Sequence, residues 1–193
     1  MSSAQLKLVR YSGASGIGAP AVAFSFVLAS IYYSPWFDWQ KNALSDLGVG
    51  SAALLFNMGL FMGGVLDGIF GMGIWFLFQK RMIGRFAGRV LVADGIFLSG
   101  IGLFPESAGR IHFIVSVGFF VLLAASVVVL GAAFAIERSK SLYLFLSLGS
   151  LVLGVVVWLV PHEGVAIPEA LSGLIGACWS MFVGFGMLRR KSA

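Results

Sequence analysis

The chain has 193 residues, 59% of them hydrophobic and 11% charged, with a net charge of +5 and a mean hydropathy of +0.98. These values exclude an ordinary soluble domain of this length and point to a membrane. Runs such as VLLAASVVVLGAAFAI, without alternation of polar and apolar positions, exclude a transmembrane β-barrel.

A helix needs about 20 residues to cross a ~30 Å hydrocarbon layer. Six segments qualify, at about 11–32, 52–78, 86–104, 112–136, 142–160 and 170–188. They predict an all-α polytopic bundle of six transmembrane helices, a single membrane domain over 1–193. The first span follows Lys7 and Arg10 as a signal peptide's apolar region would, but it is too long for a typical cleaved one and is read as retained. The one cysteine, Cys178, allows no intramolecular disulfide and reads as a packing residue.

After the first span, SPWFDWQKNALSDLG predicts a short interfacial helix with Ser34 as N-cap, Pro35 at the first helical position and Gly48 as terminator. Trp36, Trp39, Ala43 and Leu47 would form its apolar stripe, and Asp38, Lys41, Asn42 and Ser45 its polar face, with Asp46 at the boundary. The second span carries Asn57 near its start and Asp67 in VLDGIF, and the third carries Asp94 in VADGIF. A carboxylate at that depth costs about 2.5 to 3.5 kcal/mol on insertion scales and marks a candidate site for proton or cation chemistry or an interhelical contact. Arg89 is the nearest basic residue to Asp94 along the chain. GLFMG and GVLDG are of the small-xxx-small type that lets helices approach closely.

The basic residues are sorted by side. Lys7 and Arg10, then Lys80, Arg81, Arg85 and Arg89, then Arg138 and Lys140, and finally Arg189, Arg190 and Lys191 all flank one set of span ends. Only Lys41 and Arg110 flank the other, so the positive-inside rule predicts a multi-pass cell-membrane protein with both termini cytoplasmic, as an even number of crossings requires. The positive charge therefore reports topology and contact with anionic lipid headgroups, not nucleic-acid binding. The outer connections collect Asp38, Asp46, Glu106, Glu163, Glu169 and both histidines, His112 and His162, and Glu137 is the one inner acid. Groups able to do acid/base or metal chemistry are thus gathered on one rim.

NALSDLG at 42–48, FN at 56–57, LFPE at 103–106 and a histidine six residues after that glutamate together resemble the membrane proteins of domain-of-unknown-function family 998. The resemblance implies a six-span bundle with no established activity. Carried over by position, it marks Asn42, Ser45, Asp46, Asn57, Glu106 and His112.

The leading reading is a membrane protein whose outward polar cluster binds a lipid headgroup, a lipid-linked or small ligand, or a partner, with Asn42, Asn57, His162 and Glu163 as binding residues. An enzyme is the alternative: Ser45, Asp46, Glu106 and His112 are the catalytic candidates, and Asp46, His112 and His162 have the ligand types for a divalent metal such as zinc acting on a lipid-linked bond. Ser45 and Asp46 cannot serve one triad from adjacent helical positions, because neighbours point about 100° apart. Haem on His112 and His162, and an ion-coupled carrier using Asp67 and Asp94, are further alternatives. The oligomeric state is not written in the sequence.

Overall fold

The computed structural model of the protein describes residues 2–190; Lys191, counted above among the basic residues, lies outside them. Six helices, α1 (Ser3–Tyr32), α2 (Ala53–Leu77), α3 (Met82–Leu103), α4 (Arg110–Arg138), α5 (Ser141–Leu159) and α6 (Ala166–Leu188), make up the bundle, with two short 3-10 turns at Leu44–Gly48 and Glu106–Ala108. All six are long and apolar enough to cross a membrane. Each packs on its successor and α6 closes on α1, giving a ring. Only Ser147 of α5 is buried, and Cys178 of α6 is exposed.

The ring is tightest between α2 and α3, where glycines let the backbones touch. A Cβ on Gly95 would meet the Gly64 carbonyl oxygen and the Gly68 amide nitrogen at 2.5 Å, atoms that cannot swing aside. Ser99 fills the neighbouring gap and donates to the Phe61 carbonyl at 3.2 Å. Pro20 supplies a different lock. It has no N–H, so the Gly16 carbonyl one turn earlier loses its intrahelical donor, and the Ser180 hydroxyl of α6 takes that carbonyl at 2.8 Å. Trp179 of α6 donates to Ser147 of α5 at 3.0 Å, which ties down the outermost helix.

Two apolar clusters divide the interior. One contains Val27, Leu47, Phe56, Leu60 and Ile101. The other contains Phe70, Ile74, Leu91, Leu130 and Val183. Along both α2 and α3 the junction between them is an aspartate, Asp67 after Leu60 and Asp94 after Leu91.

The expected interfacial helix over Ser34–Gly48 is largely replaced by turns, and only Leu44–Gly48 is helical, in 3-10 form. The reason is side-chain competition for the backbone. Asp38 accepts from the Gln40 N–H at 2.8 Å, Asn42 accepts from the Asp38 N–H at 2.9 Å, and Asp46 accepts from the Ala43 N–H at 3.1 Å. Ser34 does not act as an N-cap; its hydroxyl is buried without a partner.

Because backbone overlap cannot be relieved by a rotamer change, Gly95→Ala is expected to lower stability by roughly 1–3 kcal/mol. Gly149→Ala, in α5 with nothing within 4 Å of the new methyl, should be neutral or stabilising. Melting temperatures of the two variants in detergent check this, and equal effects would remove the close α2–α3 approach as the cause.

Candidate functional site

Asp46 is the centre of one end of the bundle. Its Oδ2 accepts from Asn42 Nδ2 at 2.7 Å as well as from the Ala43 N–H. The Leu44 N–H, freed at the start of the 3-10 turn, donates to Glu169 Oε2 of α6 at 2.8 Å. From the α3–α4 connection Glu106 comes within hydrogen-bonding reach of Asp46. Asn57 Nδ2 donates to the Gly48 carbonyl at 3.0 Å while its Oδ1 is buried without a partner. The Asn42 carbonyl accepts the N–H groups of Val165 and Ala166, so the α5–α6 loop braces the same segment.

Three carboxyl groups thus crowd one rim. Partial burial, then the hydrogen bond and negative charge of Asp46, push the Glu106 carboxyl above its ordinary value of 4.5, with His112 pulling the other way. His112, 8% exposed, has both ring nitrogens engaged. Nδ1 lies 2.8 Å from the Phe104 carbonyl, which can only accept, so Nδ1 carries the proton. Nε2 lies 3.2 Å from the Ser116 hydroxyl.

His162 and Glu163 lie in the α5–α6 loop, His162 half-buried and Glu163 exposed. Among the described residues no three His, Cys, Asp or Glu side chains are grouped so as to hold a metal ion, so Asp46, His112 and His162 do not assemble as one ligand set. The Phe104 carbonyl and the Ser116 hydroxyl together fix the orientation of the His112 ring.

Beneath the rim lies a cavity of about 140 Å³. Ser45 and Glu169 stand at its rim end, Asp67 and Asp94 at mid-membrane depth, and Pro20, Ser116 and Ser180 on its walls. The rest of the lining is apolar, including Phe24, Phe56, Leu60, Phe119 and Leu123, and among the described residues no lysine, arginine or histidine lines it. Asp67 is 9% and Asp94 2% exposed. Oδ2 of Asp67 and Oδ1 of Asp94 are buried without a hydrogen-bond partner. Arg89, expected beside Asp94, is elsewhere, its guanidinium 5.7 Å from the centre of the Trp75 ring.

The family described as "Protein of unknown function (DUF998)" matches residues 17–186. The chain belongs to this family. The match runs from the middle of α1 into the end of α6 and includes the rim segments that carry Asp46, Glu106 and Glu169, in agreement with the resemblance carried by NALSDLG and LFPE. No curated protein and no solved structure matches the chain.

Since the folded state favours the protonated form of Glu106, that contribution to stability is full below pH 4.5 and is lost as pH rises through the raised value. The melting temperature should therefore fall over this rise, and Glu106→Gln should flatten the dependence. Identical pH profiles for the two proteins would refute a proton held between Glu106 and Asp46.

Proposed function

We propose that this multi-pass membrane protein binds an amphipathic ligand in the central cavity, with the ligand's apolar body against the phenylalanine and leucine walls and a hydrogen-bond-donating head, such as a protonated amine, on Asp67 and Asp94. The observation that carries the reading is the pair of orphaned carboxylate oxygens in an otherwise apolar cavity. A buried acceptor left unpaired costs about 1–3 kcal/mol, a burden without structural return unless something occupies the site. Hydrophobic walls with a few convergent polar groups are the usual make-up of a ligand pocket. The absence of any basic residue from the lining disfavours a phosphate or carboxylate head at this depth.

The acid rim then acts as the ligand's entrance. Ser45, Leu44 and Glu169 lie between the Asp46–Glu106 pair and the cavity. By the positive-inside rule the acid rim faces outward and the basic rim the cytoplasm.

Dodecylamine, dodecanol, dodecanoate and dodecyltrimethylammonium, added to protein in phosphatidylcholine nanodiscs, test the reading by calorimetry and thermal shift. Dodecylamine should bind best, because the quaternary ammonium has no N–H to donate and dodecanoate adds a like charge. Charge-assisted hydrogen bonds contribute about 1.5–3 kcal/mol, so Asp67→Asn with Asp94→Asn should weaken dodecylamine binding by roughly tenfold or more without lowering the melting temperature. Equal binding of all four chains would overturn the head-group assignment, and binding of none would overturn the cavity reading.

A further inference from the structure

At the opposite end of the bundle, where α2, α4, α5 and α6 meet, a second pocket of about 120 Å³ is lined by Arg138, Lys140, Arg190 and Tyr143 over an apolar floor that includes Phe134 and Met187. Among the described residues no aspartate or glutamate lines it. Two of the three cations are held by contacts with neutral groups. Arg138 donates through Nη2 to the Leu77 carbonyl at the end of α2 and lies 5.0 Å from the centre of the Phe78 ring, while its Nε is buried without a partner. Lys140 Nζ lies 5.8 Å from the centre of the Tyr143 ring.

The acid next to Arg138 in the chain makes its hydrogen bonds elsewhere. Glu137 directs both carboxylate oxygens to the first turn of α3, accepting from the Ile83 N–H at 3.0 Å and the Gly84 N–H at 2.9 Å. A carboxylate is favoured there by the unsatisfied amides and dipole of a helix start. Among the described residues the one ion pair, Lys41 with Asp38, is at the other end of the chain's bundle.

Three convergent cations, an unpaired guanidinium N–H and an apolar floor at the edge of the hydrocarbon region match a phosphate group carried on a lipid. Arginine suits it because its planar fork of N–H donors fits phosphate oxygens. Basic pockets between transmembrane helices are a recurring way of holding anionic headgroups. We infer that this pocket binds the phosphate of an anionic phospholipid, clamped between Arg138 and Arg190 with Lys140 at its mouth. The site is separate from the acid-lined cavity and does not depend on the ligand proposed for it.

The test uses the full chain in a neutral detergent, with phosphatidylglycerol, phosphatidylcholine or inorganic phosphate added, read by native mass spectrometry and thermal shift. Phosphatidylglycerol should be retained and should raise the melting temperature, whereas phosphatidylcholine and inorganic phosphate should not. Arg138→Gln with Arg190→Gln should reduce apparent phosphatidylglycerol affinity by roughly tenfold or more. Lys80→Gln with Arg85→Gln, which removes the same charge from the same rim outside the pocket, should retain it. If Arg138→Gln does not fold, Lys140→Gln with Arg190→Gln gives the same reading, since neither residue bonds to the backbone of another helix. Equal losses in the pocket and control variants, or no retention by the unmodified protein, would overturn the site. Stabilisation by inorganic phosphate as strong as that by phosphatidylglycerol would overturn the lipid as its source.

Discussion

In hydrocarbon there is no water to complete a hydrogen bond, so every polar group within the span must find a partner from the protein or remain a standing cost. Most of the bundle is arranged around that constraint. The Gly16 carbonyl, exposed by Pro20, is met by Ser180. The Trp179 indole finds Ser147, and the Trp158 indole finds Ser172 at 2.9 Å. Both nitrogens of His112 are engaged. All of these contacts except His112–Ser116, which lies within α4, join one element to another, so satisfying a polar group and fixing the helix arrangement are largely the same event.

Against that background the exceptions carry the information. Among the described residues five side chains keep a buried polar atom without a partner; Ser34 and Asn57 do so at the acid rim, whereas Asp67, Asp94 and Arg138 each line a cavity. The two aspartates are brought together by their neighbours. Gly64 and Gly95 bring the backbones of α2 and α3 into contact, and Asp67 lies one helical turn after the first while Asp94 immediately precedes the second. The strings VLDGIF and VADGIF, in antiparallel helices, therefore read as a matched pair across one interface, which explains their likeness without invoking a repeat.

Fold class and the number of spans were legible because they follow from a bulk property, apolar runs of spanning length. The rim segment was less legible. Trp36, Trp39, Ala43 and Leu47 do fall at helical spacing, yet Asp38, Asn42 and Asp46 are all short side chains able to bond nearby backbone N–H groups, and three such bonds outcompete the helix. Arg89 as a partner for Asp94 failed on geometry. Five positions along a helix leave two side chains about 140° apart, so Arg89 turns to Trp75 instead. The proximity of Asp46, Glu106 and Glu169 rests on contacts between three separate connections. Residue type placed all three on one rim, but only the ring closure of α6 on α1 brings Glu169 to Leu44.

The two ends of the molecule are electrostatic opposites for one reason. Orientation in the bilayer needs basic residues on one side only, which leaves the other rim free to gather acids without neutralising partners. The same asymmetry divides the buried space: the cavity reached from the acid rim has no basic lining, and the pocket at the basic rim has no acidic lining. Glu137 turns both carboxylate oxygens to the start of α3, and among the described residues it forms no ion pair with Arg138, the residue next to it. A rearrangement that freed Glu137 would both uncap α3 and supply the basic pocket with an internal anion, so helix geometry and pocket charge are coupled through that one carboxylate.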